Sequence, residues 1–339
     1  MESVNDKRQD RRGWQAERTG VTGPIQDSSP TTLVLAESAG RASRRPVNGK
    51  VRIVDGPFTE AKELAVAHWP PDSHARLAAR AGRYASVNGL SMYYEIHGSG
   101  RPLVLLHGAL ETIEASFGKV VPELARMHQV IAIEQQAHGH TADIDRRATY
   151  EQMADDTAEL LRQLGLREVD VLGYSMGASI AFQLALRQPG LVRKLTIVAG
   201  CANTSGYQPP LLEFMQNIDS TRQSWTRHPL GVGRRVELAR DFRRTVRRPE
   251  QWLSALGRTK EAFDSFRDLG SDDLRSIRAH TLFVGGDDGV IRPQHLNEVA
   301  RFVPHARLEL FPKTSHPAMV GRSMDVVPSF LDAPLPELG

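Results

Sequence analysis

The chain has 339 residues, 40% of them hydrophobic and 24% charged, with a formal net charge of +3. That is the balance of an ordinary soluble globular protein long enough to bury a large core, as one α/β domain or two smaller ones. The small net charge and the 6% aromatic content argue against a nucleic-acid partner, and no apolar run nears the ~20 residues of a membrane span.

The single cysteine, Cys201, rules out an internal disulfide framework and suits a reducing, cytoplasmic compartment; it reads as a small buried residue. The opening residues carry no apolar core of a secretory signal, so none is expected. Residues 1–30 are polar without periodicity, and the whole stretch 1–80 is expected to be poorly ordered. Within it, at about 32–66, the run Asp55-Gly56-Pro57-Phe58-Thr59-Glu60-Ala61-Lys62-Glu63 resembles the YCII-related, DGPF-motif family. The likeness covers under half of such a domain, too little sheet to bury an apolar face.

From Tyr84 the pattern becomes regular. Residues 85–95 read as two strands around Asn88-Gly89, a strong hairpin signal. Pro102–Leu106 is a continuous apolar strand, as in a parallel sheet covered on both faces, and it runs into His107-Gly108-Ala109-Leu110. A helix is expected around 116–127, then a strand over 129–133 and the loop Glu134-Gln135-Gln136-Ala137-His138-Gly139-His140-Thr141. With no cysteine or carboxylate cluster beside them, His138 and His140 read as ordering this loop and not as a metal pair. Thr149-Tyr150-Glu151-Gln152 forms a capping box for a helix reaching Gly165.

The strand Val169–Leu172 then meets Gly173-Tyr174-Ser175-Met176-Gly177, and a helix-length Ala- and Leu-rich segment follows. This is a G-x-S-x-G nucleophile elbow in its strand–turn–helix context, with Ser175 exposed above a helix N-terminus that favours developing negative charge. The next strand, Leu195–Val198, ends without a carboxylate. Residues 202–279 are helical, arginine-rich text. Tyr207–Met215, Trp225, Trp252, Phe263 and Phe266 are candidates for an apolar pocket, and Arg234, Arg235, Arg243, Arg244, Arg247 and Arg248 read first as a solvated face and second as a means of recognising an acidic substrate. Strand text returns at 281–286 and 306–312, a helix begins at Pro293, and an amphipathic segment spans 323–331.

The elbow and the His-Gly motif together resemble the α/β-hydrolase family over residues 84–333. The resemblance implies a mostly parallel sheet flanked by helices, with a helical cap at about 202–279, and it implies no cofactor or metal. It gives Ser175 as nucleophile, His316 after the last strand as general base, and the N–H groups of Ala109 and Met176 as the oxyanion hole. The family's acid sits four residues before a proline; counting back from Pro293 lands on Gly289. Asp288 is the first substitute and Asp287 the second, with loss of the acid the remaining possibility. Glu134 and Ala137 also depart from the family's usual loop. The expected activity is hydrolysis of a small ester or lactone through an acyl-enzyme, with C–C hydrolysis or cofactor-free perhydrolysis as alternatives on the same residues. The rival of another class is a degenerate hydrolase that binds a ligand or partner without useful turnover.

Overall fold

The computed structural model describes residues 82–209, 211, 212, 215 and 251–335, with the side chain of Asp288 outside that description. The DGPF-like stretch and the rest of 1–80 lie outside it, as do Phe214, Trp225, the arginines at 234–248 and about half of the expected cap.

Eight strands form one sheet in the order β1-β2-β4-β3-β5-β6-β7-β8. β1 (Gly82–Val87) and β2 (Leu90–His97) form the antiparallel hairpin, turning through Asn88 and Gly89 at φ 49° and 83°, the left-handed pair a tight two-residue turn requires. β2 pairs antiparallel with β4 (His128–Ile133). From there the sheet is parallel through β3 (Arg101–Leu106), β5 (Val169–Tyr174), β6 (Val192–Val198), β7 (His280–Asp288) and β8 (Ala306–Ser315). Successive residues of β3 serve opposite cores: Val104 and Leu106 on one face, Leu103 and Leu105 on the other. That is why the parallel strands read as unbroken apolar runs.

The helix expected around 116–127 and the amphipathic segment expected at 323–331 are each interrupted, for the same reason. In place of 116–127 there are Ile113–Phe117, capped by the Thr112 hydroxyl accepting from Ala115 N–H, and Val121–Leu124, with Pro122 in its first turn. In place of 323–331 there are Met319–Ser323 and Val327–Asp332, the second with Pro328 in its first turn. A proline lacks the N–H that would continue the preceding helix and is tolerated only at a new start. The Thr149 cap holds: its side chain accepts from Gln152 N–H and the helix runs Tyr150–Gln163. Among the described residues no helix is long and apolar enough to cross a membrane.

Candidate active site

The two glycines around Ser175 are fixed by contact distance. A Cβ on Gly173 would lie 2.3 Å from the Gly177 carbonyl oxygen, and one on Gly177 would lie 2.0 Å from that of Leu106. Strand β5 and the helix Met176–Arg187 therefore meet closer than any side chain permits. Ser175 turns the corner at φ 53°, ψ −113°, a strained non-glycine conformation of the kind held at functional sites. The Met176 N–H is the first of that helix and has no intrahelical acceptor. Leu106 and Gly173 are paired across β3 and β5, so the His107-Gly108-Ala109 turn and the elbow leave the sheet side by side.

His316 follows β8 directly, and its Nε2 lies 3.0 Å from the Ser175 hydroxyl. Tyr174 braces the histidine: its hydroxyl donates to the His316 carbonyl at 3.1 Å, and its ring lies 5.2 Å from the imidazole. This bracing residue is the one directly before Ser175 in the sequence motif, whose G-x-S-x-G form leaves it unspecified.

The two acid candidates separate. Asp287 is exposed, and its Oδ1 accepts the Lys313 N–H at 2.5 Å. Between the pairs Gly286–Phe311 and Asp288–Ser315 the ladder advances two residues in β7 but four in β8. The surplus is a bulge at 312–314, with Lys313 at φ 50°, and the Asp287 carboxylate fastens it. The backbone of Asp288 pairs with Ser315, the residue before His316. At Gly289 a Cβ would come no nearer than 3.9 Å to the Gly286 carbonyl oxygen or the His316 nitrogen, so the space beside His316 is open there.

The loop after β4 packs against the turn that carries Ala109. Glu134, 1% exposed, accepts from Ile113 N–H at 3.3 Å and from His140 N–H at 2.5 Å, and its Oε2 lies 2.9 Å from His140 Nδ1. Gly139, at φ 55°, leaves room for that carboxylate, since a Cβ there would lie 2.1 Å from it. His140 is thus held to the carboxylate of its own loop, while His138 Nδ1 lies 2.9 Å from the Gln136 carbonyl of the same loop and its Nε2 accepts the Leu110 N–H at 3.2 Å. The helix Gln251–Asp264 lies over the same loop: Gln251 donates to the carbonyls of Gly139 (2.9 Å) and Thr141 (3.1 Å), and Arg258 binds Asp143 at 2.8 Å. Its Ala255 and Leu256, with Trp252, Leu211 and Met215, form an apolar cluster with Leu110 and Ala137. Of the other pocket candidates, Phe263 faces Tyr207 at 5.4 Å and Phe266 meets Tyr150 edge-on at 5.3 Å. Tyr207 and Phe266 pack on the main core. Cys201 is buried, and burial pushes its thiol up to about 12.

The sequence profile described as alpha/beta hydrolase fold matches residues 101–276. RutD of Azorhizobium caulinodans, which carries a provisional assignment as a carbamate hydrolase, is 30% identical over 236 residues, covering 66% of this chain and 88% of that one. The human serine hydrolase BPHL is 25% identical over 237 residues, covering 68% and 78%. The solved structure of MGS-M2, an alpha/beta hydrolase enzyme from a Medee basin deep-sea metagenome library, matches with a TM-score of 0.61 at 20% identity, over 76% of this chain and all of that one. A profile that spans more than half of the sequence, and relatives matched over most of their own length, make this chain a member of the alpha/beta hydrolase family of enzymes.

Proposed function

We propose that the protein is a serine hydrolase that cleaves a small carboxylic ester or lactone through an acyl-enzyme on Ser175. The observation that carries the reading is the 3.0 Å contact between Ser175 Oγ and His316 Nε2 at a strained strand-to-helix corner. In this reading Ser175 Oγ attacks the substrate carbonyl carbon while its proton passes to His316 Nε2. The carbonyl oxygen takes the charge and is met by the N–H groups of Ala109 and Met176, each worth on the order of 10²–10³ in rate. Collapse breaks the bond to the leaving alcohol, which receives the proton from His316. Water then attacks the acyl carbon, gives its proton to the same nitrogen, and releases the acid with Ser175 restored.

Asp288 is the residue we assign to orient the imidazole. The backbone pairing of Asp288 with Ser315 and the use of the Asp287 carboxylate by Lys313 N–H support that choice over Asp287. The apolar cluster around Leu110 and Trp252 supports a substrate with an apolar portion.

The deciding experiment pairs a fluorophosphonate probe with a panel of aryl esters, lactones, carbamates and a C–C cleavage substrate. Probe adduct on Ser175 with turnover of an ester or lactone is the expected result. Adduct formation with turnover only of the C–C substrate moves the assignment to that chemistry. Absence of both adduct and turnover would leave a degenerate hydrolase that serves as a binding protein.

A further inference from the structure

His107 and His138 are fully buried, and each belongs to one of two loops that meet: the turn after β3, which leaves the sheet beside the elbow, and the loop after β4. His107 Nδ1 lies 2.8 Å from the carbonyl of Gly108, while its Nε2 accepts the Gln135 N–H of the opposite loop at 3.1 Å. His138 mirrors it: Nδ1 lies 2.9 Å from the Gln136 carbonyl, and Nε2 accepts the Leu110 N–H at 3.2 Å. A carbonyl can only accept and an amide N–H can only donate, so both rings are neutral and carry their proton on Nδ1. Each loop thus lends an imidazole that takes an N–H from the other, with the two rings 5.0 Å apart.

The turn held in this way is a demanding one. Glu111 N–H donates to the Gly108 carbonyl at 3.2 Å, closing the turn around Ala109 and Leu110, and Leu110 sits at φ 60° without being glycine. A non-glycine residue in that conformation is strained and persists only where its surroundings hold it. The Leu110 N–H is what His138 holds, and the peptide before it belongs to Ala109. Rotation of that turn would change the direction of the Ala109 N–H.

We propose that His138 is a positioning residue for oxyanion stabilisation: by accepting the Leu110 N–H it fixes the Gly108–Glu111 turn in the rotation that aims the Ala109 N–H at the substrate carbonyl. This rests on the serine-hydrolase reading above. It departs from the ordinary expectation for a histidine near a nucleophile, because His138 neither moves a proton nor touches substrate. Burial, with the neighbouring imidazole acting on His107, lowers the two groups to about 3 and about 4, in keeping with rings that stay neutral.

The test compares His138→Phe, which keeps a flat ring without an acceptor, with His138→Gln, whose amide oxygen can still take the Leu110 N–H. The readouts are kcat and KM on a short aryl ester, and the affinity of a trifluoromethyl ketone that forms an oxyanion on Ser175. In His138→Phe, kcat and ketone affinity should both fall by roughly 10–10²-fold, approaching the loss of one oxyanion donor, with KM within about twofold. His138→Gln should recover most of both. Equal kcat in wild type and His138→Phe overturns the proposal, as does a loss that appears only in KM. If His138→Phe does not fold, nitrogen NMR of histidine-labelled wild type decides: the expected spectrum is a neutral Nδ1–H tautomer for His138 from about pH 5 to pH 8, and an Nε2–H tautomer or a cation there overturns it. A wild type that neither labels nor turns over fails the serine-hydrolase reading instead, a result distinct from any of these.

Discussion

Ser175 and His316 stand 141 positions apart in the chain, yet the serine hydroxyl and the histidine Nε2 are within 3.0 Å. Two different sheet positions make the contact: β5 near the middle delivers the serine, and β8 delivers the histidine. Ser175→Ala removes only one oxygen atom, so the fold should be unchanged. Probe labelling should vanish and kcat should fall by about 10⁶, the scale for loss of such a serine. A probe adduct that maps by mass spectrometry to another residue would refute the assignment.

The acid is tested by three substitutions. Asp288→Asn should lower kcat by up to roughly 10⁴, because an imidazole without its carboxylate spends much of its time in the wrong tautomer. Asp287→Asn should change little, since the amide oxygen still accepts the Lys313 N–H. Gly289→Asp fits sterically, with 3.9 Å to the nearest atoms, and should match or raise the wild-type rate. A silent Asp288→Asn beside a Gly289→Asp that gains orders of magnitude would mean that the natural chain lacks an effective acid.

Acid stability should report the buried histidines. His107, His138 and His295 are lowered by burial to about 3, about 4 and about 4, and the last accepts the Ala202 N–H. Between about pH 6.5 and pH 4 the unfolded chain therefore binds protons that the folded chain refuses. Their contribution to stability is whole above about pH 6.5 and is lost as the pH falls, with a slope of up to about 1.4 kcal/mol per pH unit for each histidine. Urea unfolding at pH 7 and pH 5 measures it. Equal midpoints would show that these rings take up protons without unfolding.

Gly177→Ala drives a methyl group into the Leu106 carbonyl, 2.0 Å from the new carbon. Backbone and strand must part to admit it. A cost of about 1–3 kcal/mol, typical of overpacking, should appear in thermal unfolding. The Ser175–His316 distance should suffer with it, so probe labelling should slow by more than the stability loss accounts for. Unchanged labelling in a folded Gly177→Ala protein would show that the elbow has slack.

What could be read from the residues was what is local. The Asn88-Gly89 turn, the Thr149 cap and the glycines of the elbow each announce themselves within a few positions, because the physics that requires them is short-ranged. The breaks at Pro122 and Pro328 are just as local in origin, yet the expected helix over 116–127 and segment over 323–331 ran through both prolines. The work of Glu134 was not legible. Its carboxylate reaches Ile113 because β4 lies beside β3, and that neighbour relation is decided by the whole sheet. The part played by Asp287 was hidden for a similar reason: a count along the sequence cannot reveal a bulge in the facing strand.

β8 is the last strand of the sheet, with a neighbour on one side only among the described residues. The histidine that meets Ser175 hangs from the end of this edge strand, while the serine follows β5, an interior strand buried at every residue. Edge elements open at lower free energy than the interior, so the two halves of the site differ in durability. Mild urea should then switch the enzyme off reversibly while the protein as a whole still gives the circular dichroism of the native state. The midpoint for loss of turnover should come at a lower denaturant concentration than the midpoint for unfolding, and coincident midpoints would mean that β8 opens only with everything else.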